Sequence, residues 1–429
     1  MKYTQIANEL FCTNRINFCS KLKPYSLVLI NSNDEFPRSG DQNHVFKQNA
    51  DLFYLSGIDQ EQTILLLFPD CPNPLYREVL FLRQTNEQIA VWEGHKYTRE
   101  EAGKASGIKK IYWLQEFDAI LSSVIFYAEN IYLNTNENDR YAHSVSYRDL
   151  RFIQQLKEKY PLHQYFRAAP IFRGLRAIKS SVEIELISKA CQLTNDAFFR
   201  VLKFVKPGVG EYEIEAEIIH EFIRQRGTGH AYNPIIASGN NANILHYNDN
   251  SQICRNGDVI LMDFGAEYAN YNADMTRSIP VNGRFTTRQK AVYNSVLRVM
   301  KESIQLLKSG VIWNAYHEEV GKIMTSELMG LGLLDKHDVA HQNPDMPLYK
   351  QYFMHGNSHH LGLDVHDFAG RYTPFAAGNV LTVEPGIYIP AEGLGIRLEN
   401  NILITENGTI DLMADIPLEA EHIEELMNA

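Results

Sequence analysis

The sequence lacks the features that would mark a secreted, disulfide-stabilised or membrane-bound protein. Its five cysteines are few for 429 residues, odd in number and without C-x-x-C spacing, which argues against a disulfide framework or a thiolate zinc site and favours a reducing compartment. No clean apolar run is longer than Ile64–Phe68, whereas a membrane span needs ~18 residues. The polar start, Met1–Phe11, carries charges of both signs and predicts no signal peptide. We therefore expect a cytoplasmic protein without a membrane partner.

Several catalytic motifs are also missing. There is no G-x-S-x-G nucleophile elbow, no phosphate-binding P-loop and no G-x-G-x-x-G dinucleotide fingerprint. The pairs His220–Glu221 and His317–Glu318 both lack the second histidine of an H-E-x-x-H zinc motif. These absences argue against the α/β-hydrolase, nucleotide-binding and zincin classes.

The formal charge of −11 lies wholly in the C-terminal part of the chain. Residues 1–175 hold 20 basic and 20 acidic side chains, whereas residues 176–429 hold 21 and 32. Acids on a predicted solvated helix after residue 210 account for part of this excess. An acidic balance argues against nucleic acid as a partner, because phosphate binding needs a basic face.

The order of predicted elements indicates two domains. In the first ~170 residues strand-like runs alternate with helical stretches, which predicts an α/β domain over residues 1–174. Ser180–Glu183 then shows a capping-box pattern at the start of a helix, in a second domain that we place over residues 175–429. Strands in that domain are predicted at 259–266, 272–281, 379–390 and 395–405.

Two acids occupy strand-like positions in the segment Val259–Ile279. Its middle, with glycine and asparagine, predicts a hairpin centred near Tyr268 and Ala269, which would place Asp263 opposite Asp274. Like charges directly opposite each other are destabilising, and burial of an unpaired carboxylate is worse. A cation between the two acids would make the arrangement favourable. An exposed hairpin face with two solvated acids is the alternative.

Three more segments place titratable side chains at strand ends or in a glycine-containing loop. The stretch His355–Asp367 contains four of the 15 histidines. Glu384 ends an apolar strand, and Arg397 and Glu399 share one strand face because they are two residues apart. Taken alone, each of these acids reads best as a strand-end carboxylate or as half of an ion pair.

Four carboxylates and one histidine nevertheless form a candidate metal-binding set. Its members are Asp263, Asp274, His359, Glu384 and Glu399. Oxygen-rich ligands suit hard or borderline divalent ions such as Mn²⁺ or Co²⁺ rather than a structural thiolate zinc. Four carboxylates neutralise two divalent ions, and paired metals ~3.5–4 Å apart share a water whose lowered pKa gives a hydroxide near neutral pH. Such a site predicts metal-assisted hydrolysis.

Five ordered motifs resemble the aminopeptidase P / prolidase branch of the pita-bread metallopeptidases. They are Met262–Gly265, Asp274–Arg277, His355–Asp367, Val383–Gly386 and Ile396–Glu399. Ile244–Tyr247 and the N-terminal stretch Lys47–Gly57 are similar to the same branch, so the resemblance covers nearly the whole chain. It implies an α/β N-terminal domain and an α+β pita-bread catalytic domain that holds two divalent metal ions. Mn²⁺ is the expected metal, with Co²⁺ or Zn²⁺ as alternatives.

The resemblance also implies how the metals are held. Asp263 would bind one metal through both oxygens, and Asp274 and Glu399 would bridge the two metals. His359 and Glu384 would complete the coordination. Glu384 would also take a proton from the bridging water as the general base.

Other residues are implied to handle the substrate. His246 and His366 match histidines that orient the substrate and stabilise the tetrahedral intermediate by hydrogen bonding. His355 matches a residue that lines the pocket for the proline-side group, and Tyr388 is a further candidate for that pocket. Arg397, two residues before Glu399, would hold the Glu399 carboxylate in place or contact the substrate.

Four positions depart from the family pattern. Phe264 stands where a small residue is frequent, and Asn400–Asn401 replace a commonly acidic pair. His360 stands where an apolar or aromatic residue is common, and it receives no role. None of these changes removes a ligand, so they bear on specificity rather than on metal binding.

The implied activity is hydrolysis of the bond between any N-terminal residue and a penultimate proline in peptides, by a homodimer or homotetramer. Prolidase, which cleaves only Xaa-Pro dipeptides, is the near alternative. The chain length, the His-Gly-x-Ser-His form and the short spacing from Glu384 to Glu399 favour aminopeptidase P. Methionine aminopeptidases generally lack such an N-terminal domain, and creatine-hydrolysing relatives lack the metal ligands. A non-catalytic pita-bread binding module is the distant alternative, and such modules typically lose ligands that this chain keeps.

Overall fold

A computed structural model describes residues 3–138, 140, 144–367, 369–370 and 372–429. By its internal packing the chain forms two units, one of Thr4–Leu175 and one of Arg176–Ala429 with Tyr3. Within the described residues, no helix has both the length and the apolar character that a membrane span requires.

The N-terminal unit is built on a six-stranded mixed sheet. In spatial order its strands are Lys110–Trp113, Glu78–Leu82, Ile64–Leu67, Ser26–Asn31, Asn130–Leu133 and Gln164–Arg167. The strand Ser26–Asn31 pairs antiparallel with Ile64–Leu67 and parallel with Asn130–Leu133. It is buried along its whole length, because an apolar run of this kind suits a central strand covered on both faces. A short hairpin joins Pro37–Ser39 to Gln42–Asn43.

Helices complete the N-terminal part. They span Glu9–Cys19, Ala50–Ser56, Glu87–Glu93, Arg99–Ser106, Phe117–Val124, Arg148–Lys159 and Ala169–Arg176. Phe117 and Leu121 are on one face of their helix and pack in the same core cluster as Leu29 and Phe81 of the sheet. The unit therefore has the α/β architecture that the alternation of elements predicts.

The C-terminal unit combines antiparallel strands with longer helices. Its sheets are Ile235–Ser238 with Val259–Asp263 and Thr276–Pro280; Gly229–His230 with Ala266–Tyr268 and Tyr271–Asn272; Val380–Val383 with Asn400–Thr405 and Gly408–Asp411; and the pair Gly386–Ile389 with Leu394–Arg397. Its helices are Ser181–Phe204, Glu211–Arg224, Thr287–Leu306, Trp313–Gly330, Lys336–Ala340 and Ala420–Met427.

The first long helix of this unit starts at the predicted capping box. Ser180 N–H donates to Glu183 Oε2 at 2.9 Å, and Glu183 N–H donates to Ser180 Oγ at 3.4 Å. Both exchanges satisfy amides that a helix start otherwise leaves without partners. The helix ends at Phe204, two residues before Lys206-Pro207-Gly208, where the proline could not continue it. The capping-box prediction is confirmed.

The hairpin with the two predicted acids turns one residue later than predicted. Asp263 pairs with Thr276, not with Asp274, so the predicted register is wrong. The turn residues are Ala269 and Asn270, with φ of 52° and 68°. A two-residue hairpin turn whose twist matches that of its strands needs positive φ at both turn residues. Here neither of those residues is glycine.

The two acids nevertheless share one face of the hairpin. A shift of two residues returns side chains to the same side of a strand, because their direction alternates. Gly265 lies across from Asp274, between the backbone hydrogen bonds that join positions 264 to 275 and 273 to 266. A Cβ at Gly265 would lie 1.8 Å from the Ala273 carbonyl oxygen. Only glycine allows this close approach of the two strands.

Candidate metal centre

Strand ends bring the predicted ligands to one place. Asp263 ends Val259–Asp263, Asp274 precedes Thr276–Pro280, Glu384 follows Val380–Val383, Glu399 joins Leu394–Arg397 to Asn400–Thr405, and the His359 carbonyl accepts from Thr382 N–H. The Glu399 N–H donates to the Thr276 carbonyl at 3.0 Å. This hydrogen bond joins the strand ends of residues 259–280 to those of residues 380–405.

Three of the predicted ligands point at a common position. One ligand atom each of Asp274, His359 and Glu399 lies within 4.8 Å of the other two, and all three side chains are buried. His359 Nε2 is 3.3 Å from Asp274 Oδ2 and 3.7 Å from Glu384 Oε1. Glu384 is therefore a member of the same cluster.

Asp263 joins the cluster through two neighbours. The Tyr232 hydroxyl lies at hydrogen-bond distance from Oδ1 of both Asp263 and Asp274. Arg397 Nη2 donates to Asp263 Oδ2 at 2.5 Å. Burial, together with the two carboxylates, raises the pKa of Tyr232 well above its usual range, so the phenol keeps its proton and donates. The structure thus brings all five predicted ligands together.

The clustered carboxyl groups are shielded from water and have too little positive charge around them to balance their own. Burial raises the pKa of Asp274, Glu384 and Glu399, and repulsion between the carboxylates adds to each rise. For His359, burial alone lowers the pKa, but the hydrogen bond to Asp274 and the nearby charges outweigh it, so the pKa is raised. Such a cluster ionises fully only when a cation compensates it.

Three observations fit a divalent ion to these groups. Glu399 Oε1 is buried and, among the residues described, has no hydrogen-bond partner. His359 Nδ1 lies 2.9 Å from the His360 carbonyl oxygen, which places a ring proton on Nδ1, so that Nε2 is the nitrogen that can give up its proton and present a lone pair to an ion, as in most metal-binding histidines. Thr276 Oγ1 donates to Glu399 Oε2 at 2.7 Å and orients that carboxylate. Carboxylate oxygens with an imidazole nitrogen are ligands that divalent ions accept.

The predicted substrate residues His355, Tyr388 and Arg397 form one hydrogen-bonded chain. Arg397 Nη1 donates to the Tyr388 hydroxyl at 2.8 Å, and that hydroxyl lies 2.8 Å from His355 Nε2. Burial, with the Arg397 charge, lowers the pKa of His355 to about 3. His355 is therefore neutral, with its Nδ1–H directed at the Gly356 carbonyl 2.8 Å away.

Arg397 contacts the carboxylate of Asp263 rather than that of Glu399, which the Ile396–Glu399 motif suggests. Its Nη2 donates to Asp263, and its Nε donates to Thr276 Oγ1 at 3.0 Å. The Thr276 hydroxyl in turn donates to Glu399. Arg397 thus reaches Asp263 directly and Glu399 through Thr276.

The two predicted substrate-orienting histidines are exposed. The His366 ring lies edge-on to the His359 ring, with centroids 4.5 Å apart and an interplanar angle of 85°. His246 lies just after the short turn Gly239–Asn243, near enough to His355 to act on it electrostatically. The structure therefore places His366 against the predicted ligand His359, and His246 near His355.

Sequence reasoning missed polar residues that orient the predicted ligands. They are Tyr232, Thr276, Thr382 and Asn401. Thr382 Oγ1 lies 3.3 Å from Glu384 Oε1, and its position two residues earlier on the same strand is a signal that could have found it. Asn401 accepts from Asp274 N–H and donates to the Asp274 carbonyl. Tyr232 belongs to no recognisable pattern.

The other departures from the family pattern fill buried positions. Phe264 packs with Phe222, at a centroid distance of 6.3 Å. The His360 ring stacks on Trp313 at 6.0 Å and 19°, and burial lowers its pKa to about 3. Both residues therefore contribute to packing around the centre.

An antiparallel, helix-covered unit that gathers four carboxylates and a histidine at its strand ends has the site of a metal-dependent hydrolase. Residues 185–406 match the profile of metallopeptidase family M24, and residues 11–132 match that of the aminopeptidase P N-terminal domain. The chain therefore belongs to metallopeptidase family M24. The predicted pita-bread fold and the prediction of a metal-dependent peptidase are confirmed.

Relatives match over nearly the full length. The chain is 34% identical to the Xaa-Pro aminopeptidase of Haemophilus influenzae over 437 residues, which cover 99% of this chain and 98% of the relative. Its structure is similar to that of Escherichia coli aminopeptidase P with the inhibitor Pro-Leu, with a TM-score of 0.88, 31% identity and 99% of each chain covered. It is also similar to proline aminopeptidase P II from Yersinia pestis, with a TM-score of 0.86, 31% identity and coverage of 99% and 100%.

Proposed function

We propose that this chain is an Xaa-Pro aminopeptidase, which removes the N-terminal residue from peptides whose second residue is proline. The observation that supports this is the extent of the likeness to a named Xaa-Pro aminopeptidase, which covers 99% of this chain and so runs through both units rather than through the M24 region alone. In this proposal residues 1–174 are the N-terminal domain and residues 175–429 the catalytic domain. Prolidase activity is the second candidate.

The proposed metal ligands are the five clustered side chains, Asp263, Asp274, His359, Glu384 and Glu399. Their charge matches two divalent ions, for which Mn²⁺ is our proposal and Co²⁺ or Zn²⁺ the alternatives. When bound, such ions supply a water of lowered pKa and polarise the scissile carbonyl.

Glu384 is the proposed general base. Its carboxyl group lies among the other proposed ligands, and bound cations would keep it ionised, as a proton acceptor must be. Thr382 Oγ1 and His359 Nε2 lie 3.3 Å and 3.7 Å from its Oε1, and these contacts hold it at the edge of the cluster. Glu384 would take the proton of the attacking water and pass it to the proline nitrogen as that nitrogen departs.

The surrounding residues account for the proposed substrate. A peptide bond to proline has no N–H, so recognition has to use the ring and the carbonyl groups. His355 and Tyr388 would line the pocket for the ring, where the neutral state of His355 suits an uncharged group. His366 and His246 would donate hydrogen bonds to the carbonyl oxygen as negative charge develops on it.

A comparison of three peptides tests the activity. The Mn²⁺-loaded protein should cleave an Xaa-Pro-Xaa tripeptide faster than an Xaa-Pro dipeptide, and should spare an Xaa-Ala-Xaa tripeptide. Preference for the dipeptide would move the assignment to prolidase. Equal cleavage of the alanine peptide would reject proline specificity. Glu384→Ala protein, purified in parallel, controls for contaminating peptidases.

Metal content and assembly are tested on the same preparation. Elemental analysis should find two divalent ions per chain after loading, and a protein that retains less than one ion and accepts none contradicts the proposal. Activity after loading with Mn²⁺, Co²⁺ or Zn²⁺ ranks the metals.

Light scattering tests the proposed homodimer or homotetramer. Cell fractionation tests the predicted cytoplasmic location.

A further inference from the structure

A buried ion cluster lies outside the set of proposed metal ligands. Arg176 Nη2 donates to Asp367 Oδ1 at 2.8 Å and to Asp364 Oδ2 at 2.6 Å. Lys179 Nζ lies 3.3 Å from Asp367 Oδ2. The side chains of Arg176, Lys179 and Asp367 are 2%, 1% and 2% exposed, whereas that of Asp364 is 45% exposed. Two positive charges thus balance two negative charges. All of these groups except Asp364 are buried.

Charges buried in this way favour an arrangement of their segments in which every charge is paired. Removal of one member leaves an opposite charge without compensation in a medium of low dielectric constant, which is far less favourable than the intact cluster. The segment that carries the cations is itself fixed, because Lys179 N–H donates to the Gly378 carbonyl at 2.8 Å and Ser180 caps the next helix. The cations therefore form a rigid support for Asp367.

Asp367 connects this support to the histidines of the centre. It directly follows His366 in the chain, and its N–H donates to the His360 carbonyl at 2.9 Å. The same carbonyl lies 2.9 Å from His359 Nδ1, and the His359 ring contacts the His366 ring. A displacement of Asp367 would therefore act on His366 through one peptide bond.

The loop between these histidines has little room to adjust. Asn272 Nδ2 donates to the Gly362 carbonyl at 2.9 Å, and Asn272 N–H donates to the same carbonyl at 3.0 Å. A Cβ at Gly362 would lie 2.4 Å from Asp367 Oδ2. The loop is therefore docked at its tip by Asn272 and at its end by the buried ions.

We propose that Arg176 and Lys179 are positioning residues that act through Asp367 to hold His366 in place beside the metal centre. The proposal rests on the proposed function, in which His366 contacts the substrate. The contacts above link both cations to the loop through Asp367, so the loop is the proposed route of their effect on catalysis.

A double-mutant cycle tests the coupling in the full-length, Mn²⁺-loaded protein. Lys179→Met keeps the length of the side chain and leaves Asp367 paired with Arg176. It should lower kcat for an Xaa-Pro-Xaa tripeptide by about 10²-fold, the loss that a ~1 Å misplacement of a reacting group produces, with a smaller change in KM and the same metal content. In a His366→Ala background Lys179→Met should have no further effect. Losses that multiply would overturn the proposal, because they would show that Lys179 acts independently of His366.

Asp367→Asn is the second variant, since it removes the charge at constant size, and it should behave in the same way in the cycle. Lys322→Met is the matched control. It removes a lysine paired with Glu319 on an exposed surface, where the two side chains are 71% and 52% exposed, and it should leave kcat unchanged.

Hydrogen exchange separates this proposal from the proposed function. The Asp367 amide, which donates to the His360 carbonyl, should exchange faster in Lys179→Met than in wild type or Lys322→Met, because exchange reports local opening. Unchanged exchange would overturn the positioning role. If the wild-type protein cleaves no Xaa-Pro peptide, the proposed function fails, while the exchange result still decides whether the cations hold the loop.

Discussion

Thr276→Val is the substitution that tests the organisation of the centre most directly. The Thr276 side chain is fully buried, and its hydroxyl donates to Glu399 Oε2 at 2.7 Å while accepting from Arg397 Nε at 3.0 Å. Valine has nearly the same shape but cannot make either hydrogen bond. The Thr276 carbonyl still accepts from the Glu399 N–H, so the backbone link between the strand ends persists.

The structure gives the size of the expected effect. In metal-free protein, the Arg397 Nε–H and the Glu399 oxygen each lose a buried partner, at a cost of about 1–3 kcal/mol per group. In addition, loss of a group that orients a metal ligand typically weakens metal binding by about 10–100-fold, which corresponds to about 1.4–2.8 kcal/mol. Thr276→Ser, which keeps the hydroxyl, should retain most of the affinity.

The assay is competition for Mn²⁺ against a chromophoric chelator, with thermal denaturation in EDTA as a separate measure of the fold. We expect the order wild type, Thr276→Ser, Thr276→Val in affinity. If Thr276→Val binds Mn²⁺ as tightly as wild type, Glu399 does not depend on this hydroxyl and the reasoning is refuted. If Thr276→Ser loses as much affinity as Thr276→Val, the methyl group and not the hydrogen bonds is responsible.

Three further outcomes are expected. Glu384→Ala should abolish hydrolysis and leave the melting temperature of metal-free protein similar or higher, since a buried acid is removed; retained activity in the peptide assay would show that another group is the base. Because burial raises the pKa of Glu399 above its unfolded value of about 4.3, the stability that this carboxyl contributes is full below that value and is lost as the pH rises through the folded pKa. The melting temperature of wild type in EDTA should therefore fall relative to that of Glu399→Gln as the pH is raised, and parallel curves would contradict the burial argument. Gly265→Ala would place a Cβ 1.8 Å from the Ala273 carbonyl oxygen and should cost about 3 kcal/mol or more in chemical denaturation, whereas Gly330→Ala, with open space around it, should be nearly neutral; equal stability of the two variants would disprove the close approach.

Short-range patterns made much of the C-terminal unit predictable. The helix from Ser181 follows from a capping box, which depends on two residues three positions apart. The acids at 263, 384 and 399 follow apolar strands or lie between them, and a carboxylate in such a place calls for a partner. The grouping of the five ligands could be proposed from their chemistry because that chemistry leaves few stable alternatives.

The hairpin register could not be predicted because its turn lacks glycine, and several contacts of the centre could not be predicted because they join residues far apart in the sequence. The hairpin register depends on Ala269 and Asn270, which adopt positive φ without the glycine that usually signals such a turn. Tyr232 reaches Asp263 across 31 positions of the chain, and nothing in its neighbourhood marks it as polar support for a site. Arg397 pairs with a carboxylate 134 positions away rather than with its strand neighbour.

The centre joins strand ends from two distant stretches of the chain, and this has a consequence for the lifetime of the folded protein. Asp263 and Asp274 belong to one stretch of the chain and His359, Glu384 and Glu399 to another, with 85 positions from Asp274 to His359. An ion held by both stretches binds the folded chain and not the unfolded one, so it stabilises the fold by an amount that grows with the free metal concentration, about 2.7 kcal/mol at 100 times the dissociation constant. Metal supply would then regulate resistance to proteases as well as turnover, so that a metal-starved cell would degrade the protein sooner than a replete one.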